Sequence, residues 1–153
     1  MNRAKKPWPG AEARPLRRLA VLGGGFMGAG VASVSIGRWP TVVRDLSDEV
    51  LVRAARTVDD GLARQVRSGA LNRGEAHRRR SRLALTTAAD DLAGADLVVE
   101  AVFEDLELKR RVLAEVEDRV CPETVFASNT SALPIAAIAA GAKHPERVLG
   151  MHY

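Results

Sequence analysis

Gly23, Gly25 and Gly28 stand in the spacing Gly-x-Gly-x-x-Gly, directly after an apolar run that closes at Leu22. In that spacing each glycine has its own task around a pyrophosphate: Gly23 permits a sharp turn, Gly25 lets a phosphate approach the backbone, and Gly28 lets a helix lie close on a strand. Phe26 and Met27 open the helix, whose free N–H groups and positive dipole end would face the anion. Asp45 lies 22 residues beyond Gly23, at the end of Thr41-Val42-Val43-Arg44. A carboxylate there can accept both hydroxyls of an adenosine ribose, and it repels a ribose 2′-phosphate, so the pattern favours NAD over NADP. Arg44 beside it is the residue that a phosphate would prefer.

Positioning such a site takes a strand, a tight turn and a helix. Arg18 to Leu22 reads as a strand buried on both faces, and Phe26 to about Ile36 as a helix with small residues (Gly28, Ala29, Ala32, Ser33) toward the sheet. Gly37-Arg38-Trp39-Pro40 turns the chain into a second strand over Thr41 to Arg44. Ser47 and Asp48 are plausible caps of a helix that runs to about Ser68, because Val50, Leu51, Ala54, Val58, Leu62 and Val66 recur at helical spacing. Asn72, Arg73 and Gly74 break that pattern before a very basic helix over Glu75 to Arg82. Strands follow at Leu83 to Thr86 and Asp96 to Glu100, then a helix from about Asp105 to Val120. Thr124 to Ala127 is the fifth strand, closed by Ser128-Asn129-Thr130-Ser131; a short helix from Pro134 to Ala140 stops at Gly141, and Val148 to Met151 is the sixth strand. The alternation predicts an α/β fold, a doubly wound parallel sheet with a helical insertion after the second strand. Ligands of such sheets bind outside the carboxyl ends of the strands, where Asp45, Glu104, Ser131 and His152 all fall.

Composition narrows the partners. No apolar run approaches the roughly 20 residues that cross a membrane, and the basic start is followed by no hydrophobic signal core, so a cytoplasmic protein is expected. Cys121 is the single cysteine, which excludes an internal disulfide, gives no thiolate metal site and reads as structural. The net charge of +4 raises the question of nucleic acid, but aromatics are only 4% and no nucleic-acid-binding signature is present. From Asp48 to Arg82 nine arginines face five acids, an excess as large as the charge of the whole chain. That segment is either a solvated face, to which His77 belongs, or a landing surface for a phosphorylated ligand.

The sequence resembles a known family at several places in order. Leu22-Gly23-Gly24-Gly25-Phe26-Met27-Gly28-Ala29-Gly30, Val98-Val99-Glu100-Ala101-Val102-Phe103-Glu104 with Lys109, Ser128-Asn129-Thr130-Ser131 and Gly150-Met151-His152-Tyr153 look like the NAD-binding domain of L-3-hydroxyacyl-CoA dehydrogenases. The dehydrogenase part of multifunctional fatty acid β-oxidation enzymes is the nearest in flavour, over Arg17 to the last residue. The resemblance implies a Rossmann-type domain in which Gly23, Gly25 and Gly28 hold the pyrophosphate, Asp45 the adenosine ribose, and Glu104 with Lys109 the nicotinamide half. It implies that Ser131 hydrogen-bonds near the nicotinamide and the substrate hydroxyl, and that His152 is the general base. It further implies an acyl-CoA substrate held partly by the arginine-rich helical pair, and a homodimer in the complete family fold. From the residues alone, Glu104 and Lys109 read equally as a solvated pair at a helix start, and Ser131 as a helix cap.

Two departures carry expectations of their own. In the family, a glutamate about a dozen residues beyond the catalytic histidine orients it, and a helical C-terminal domain closes the cleft; neither follows Tyr153. Residues 1–17 therefore read as a leader or interdomain linker and 18–153 as an NAD-binding domain without its C-terminal partner, with little or no dehydrogenase activity alone; the alternative is an inactive NAD- or CoA-binding remnant. The connection Ser35-Ile36-Gly37-Arg38-Trp39-Pro40 also looks short and carries a bulky Trp39, which is expected to disturb the first helix and the aim of Asp45.

Overall fold

The computed structural model describes residues 15–153. The leader or linker expected over residues 1–17 lies outside the described residues except for its last three. At that edge the backbone N–H groups of Arg17 and Arg18 both donate to Asp96 Oδ2, at 2.7 and 2.9 Å, which ties the entrance of the first strand to the start of the fourth.

Six strands, β1 (Leu19–Leu22), β2 (Thr41–Arg44), β3 (Leu83–Thr86), β4 (Leu97–Glu100), β5 (Val125–Ser128) and β6 (Val148–Gly150), form one parallel sheet in the order β3-β2-β1-β4-β5-β6. The helices are α1 (Phe26–Ser35), α2 (Asp48–Arg67), α3 (Arg73–Arg80), α4 (Leu106–Glu117) and α5 (Ile135–Ala139). This is the expected doubly wound Rossmann-type sheet, with α2 and α3 as the insertion after β2. Strand order reverses between β1 and β4, and the crevice that opens there is the ligand position of such sheets.

Period-two alternation divides the core. Leu19 and Val21 of β1 face α1 and α2 together with Val43, Val31, Leu51 and Val58. Ala20 and Leu22 face α4 together with Val42, Val98, Val112, Leu113 and Val116. All four β1 residues are therefore buried, as a strand covered on both faces requires. The register sets Thr86, Arg44, Leu22, Glu100, Ser128 and Gly150 in one row at the carboxyl edge. The loops carrying the candidate residues begin level with one another because of it.

Several boundaries differ from the sequence expectation. The expected break between the two helices is present but lies earlier, after Arg67, and α3 begins at Arg73 rather than Glu75 because the Asn72 side chain accepts the Glu75 N–H at 2.8 Å and caps it. α4 ends at Glu117 rather than Val120, and β5 is shifted one residue, to Val125–Ser128. The Ser35–Pro40 connection causes no disturbance. Ile36 is fully buried, Trp39 N–H donates to Ser35 O at 2.9 Å, and the Arg82 guanidinium donates to the carbonyls of Ile36 and Gly37 at 3.1 and 3.0 Å. Arg38 covers the Trp39 ring at 5.2 Å, so the bulky side chain is shielded at the surface.

A Cβ on Gly28 would sit 1.8 Å from Gly23 O, a backbone atom that cannot yield without moving the turn. Gly28→Ala is expected to cost about 3 kcal/mol in denaturant unfolding, the upper range of overpacking. Gly25→Ala, whose methyl would meet nothing within 4 Å, should stay within about 1 kcal/mol of the native chain.

Candidate functional site

The glycine turn assigns its three tasks to separate atoms. Gly23 has φ +92°, a left-handed conformation, and a Cβ there would lie 2.7 Å from Ala101 O, so both conformation and space exclude a side chain. Its N–H donates to Arg44 O at 2.9 Å, carrying the ladder of β2 into the turn. Gly25 faces open space, which is the approach a pyrophosphate needs. It is also the N-cap of α1, which has neither a side-chain cap nor an acid in its first turn. By contrast Ser47, Asn72 and Asp105 cap α2, α3 and α4 with their own side chains. The first N–H groups of a helix have no partner within it, so an anion at α1 would meet donors and dipole together.

Asp45 stands where that turn can hold it. Its Oδ2 accepts the Gly24 N–H at 2.8 Å and its Oδ1 accepts the Ser47 N–H at 3.1 Å. A carboxylate offers about four acceptor positions, so both oxygens keep capacity for ribose hydroxyls. Between Asp45, the glycine turn and the Ala101–Phe103 loop lies a cleft of about 700 Å³, whose floor includes Leu108 and Val112 of α4. That volume falls within the roughly 300–1,000 Å³ of small-molecule and cofactor sites. Phe26 and Phe103, 89% and 87% exposed, stand on its rim as apolar surfaces left to solvent. The residues present therefore fit a dinucleotide. Arg44, which also lines the cleft, forks onto the Glu115 carboxylate of α4 at 3.0 and 3.2 Å.

Past the crevice, the ends of β4, β5 and β6 carry a polar cluster. Lys109 is 1% exposed, so the reading of Glu104 and Lys109 as a solvated pair does not hold. Its ammonium donates to Glu100 Oε1 at 2.7 Å and lies 3.2 Å from Glu104 Oε2. Glu100, fully buried, also accepts the Val102 N–H at 2.8 Å and the Ser128 hydroxyl at 2.5 Å. Glu104 in turn accepts the Thr130 hydroxyl and the N–H groups of Ser131 and Ala132, the latter two at 3.1 and 3.2 Å. Burial works against the charge on Glu104, but the bonds from Thr130, Ala132 and Lys109 outweigh it and hold its pKa at about 2.

Ser131 does not cap the following helix: Thr130 Oγ1 accepts the N–H groups of Ala132 and Leu133, and the cap of α5 is Pro134, without a side-chain bond. His152 is exposed beyond β6, beside Tyr153, whose N–H donates to Asn129 Oδ1 at 3.0 Å. The structure thus brings Glu104, Lys109 and Ser131 into one cluster, gathers Gly23, Gly25, Phe26, Met27 and Asp45 around the cleft with Gly28 buried beneath the turn, and sets His152 on the neighbouring strand end. Glu100 was missed by sequence reasoning as a site residue. Its signal was a carboxylate closing an otherwise apolar strand, with a lysine nine residues on.

Two outcomes follow from the cluster. Glu100→Ala strands the Lys109 charge in the interior and should destabilise by about 3–5 kcal/mol, much of it recovered when Lys109 is also replaced by Met. The Glu104 pKa lies below its ordinary value of 4.5, so its stabilising contribution is complete above pH 4.5 and drains away as pH falls toward 2. Glu104→Gln should remove that part of the slope from unfolding curves measured across this window.

The sequence model described as "3-hydroxyacyl-CoA dehydrogenase, NAD binding domain" matches residues 18–153. Among solved structures, 3-hydroxybutyryl-CoA dehydrogenase of Escherichia coli K12 is 37% identical, with a TM-score of 0.88 over 92% of this chain and 30% of that one. FadB2 of M. tuberculosis is 36% identical, with a TM-score of 0.88 over 92% of this chain and 50% of the other. The dehydrogenase part of multifunctional enzyme 1 from C. elegans is 27% identical, with a TM-score of 0.80 over 93% and 33%. The chain thus spans between about a third and a half of the length of these proteins. With the uncapped glycine turn, the carboxylate at the tip of β2 and a family match over nearly its whole length, this chain belongs to the 3-hydroxyacyl-CoA dehydrogenase family as an NAD-binding domain.

Proposed function

We propose that this chain is the NAD-binding part of an enzyme that oxidises the 3-hydroxyl of an L-3-hydroxyacyl-CoA to a ketone, in fatty acid β-oxidation in the cytoplasm. The observation that carries the reading is the Asp45 carboxylate, fixed by Gly24 and Ser47 at the mouth of an open glycine turn. Gly23, Gly25 and Gly28, with the first turn at Phe26 and Met27, hold the pyrophosphate, and Asp45 the adenosine ribose. NAD bound there supplies the acceptor for the hydride that leaves C3 of the substrate. Glu104, kept charged and aimed by Lys109, sets the nicotinamide end and orders the turn that carries Ser131. Ser131 hydrogen-bonds the substrate oxygen, and His152 takes the hydroxyl proton at its imidazole nitrogen, an atom that can both accept and return a proton.

The insertion α2–α3 supports an acyl-CoA partner only in part. Arg78 and Arg79 are held by Glu75, Arg80 by Asp59, and Arg82 by the carbonyls that end α1. Arg53, which lines the cleft, is better placed to meet a phosphate. A second reading, a binding module without turnover, is supported by the cleft itself, which the glycine turn and Asp45 line without Ser131 or His152.

Calorimetry separates these readings from a fold that binds nothing. NAD should bind the 153-residue chain, and Asp45→Ala should weaken binding at least tenfold, with about 1–3 kcal/mol lost in unfolding because the buried Gly24 N–H loses its acceptor. NADH formation with L-3-hydroxybutyryl-CoA should be trace at most in this chain and should disappear in His152→Ala. Full loss of NAD binding in Gly23→Val but not in Asp45→Ala would sink the ribose assignment alone.

A further inference from the structure

The geometry points to Glu115 as a determinant of cofactor choice, acting through Arg44 to keep a 2′-phosphorylated nucleotide out. The inference rests on the placement of the adenosine ribose at Asp45. Arg44 and Asp45 are consecutive residues at the tip of β2, and both line the cleft. By type and position Arg44 is the cation that a 2′-phosphate beside Asp45 would recruit. It is not at liberty to do so. Both terminal nitrogens of its guanidinium are spent on Glu115, 71 residues away in the chain, in the forked geometry that fixes an arginine most firmly.

The remaining donor shows what holds the side chain there. Arg44 Nε is buried and meets no acceptor among the described residues, and the side chain is 12% exposed. Burial with a donor unmet opposes that position. The Glu115 carboxylate is the partner that compensates for it, and Glu115 is itself 34% exposed, so removing its charge leaves no buried orphan on α4.

Charge arithmetic gives the direction. Asp45, Arg44 and Glu115 together carry a net charge of −1, a trio that opposes a phosphate dianion, while Arg53 in the same cleft adds a cation that the native chain and every variant share. Neutralising Glu115 brings that sum to zero and releases the guanidinium. Neutralising Arg44 makes the sum −2. NAD has no phosphate at that hydroxyl, so both changes reach it only through its more distant pyrophosphate and through packing.

The test is calorimetric titration of NAD and NADP into the native chain, Glu115→Gln, Arg44→Ala and the double variant. Glu115→Gln should tighten NADP about tenfold while NAD stays within threefold, and NAD binding certifies that the variant is folded. Arg44→Ala should weaken NADP further. In the double variant the gain should vanish, which assigns the effect to Arg44 rather than to Arg53 in the same cleft. NADP affinity unchanged in Glu115→Gln, with NAD binding intact, overturns the inference and leaves the ribose assignment standing. Absence of NAD binding in the native chain, or its survival in Asp45→Ala, overturns the ribose assignment and the inference with it.

Discussion

The Lys109 ammonium, enclosed between Glu100 and Glu104, is the interaction on which the cofactor end of this domain depends. A charge taken out of water is tolerated only where partners replace its hydration, and here each partner is itself tied down. Glu100 binds the Val102 backbone and the Ser128 hydroxyl, which joins the tips of β4 and β5; Glu104 gathers the turn from Thr130 to Ala132. One buried cation thereby fixes two strand ends, a helix and a loop relative to one another. Replacing the pair by apolar residues of similar volume would often keep a fold stable, but it would leave the turn that carries Ser131 with nothing to aim it.

The adenosine end is built on the opposite logic. Gly23, Gly25 and Gly28 contribute by what they lack, and α1 begins without a cap of its own while its neighbours are capped. A helix start left without a side-chain cap costs the free protein little where the N-cap is a glycine, only a few tenths of a kcal/mol, and leaves its N–H groups for an anion. The turn therefore offers backbone donors that cannot be tuned residue by residue, with the Asp45 carboxylate held beside them by the Gly24 and Ser47 N–H groups.

What could be seen in the sequence was local. The six strands, the sharp turn at Gly23, the close approach at Gly28 and the position of Asp45 follow from short-range spacing and apolar alternation, and they stand in the structure with shifts of a residue or two. Glu100 escaped notice because its meaning depends on Lys109 reaching back from the next helix and on Ser128 from the next strand. The Ser35–Pro40 connection looked too short because the arginine that accommodates it, Arg82, enters from the far end of the insertion. Basic residues of α3 that looked open for a ligand are shared out among Glu75, Asp59 and backbone carbonyls, a matter of side-chain geometry that composition does not encode.

The helix α4 touches both halves of this arrangement. Lys109 near its start engages β4 and the Glu104 turn, and Glu115 near its end engages β2. The two positions are six residues apart, about 9 Å of helix, so one rigid rod gauges the separation between the tip of β2 and the Glu104 turn. A substitution anywhere along its buried face, at Val112 or Leu113 for instance, would tilt that gauge and loosen both ends at once. Natural variation in this helix should accordingly be read as a change of span, felt along the whole crevice, even where the altered side chain meets neither of its ends.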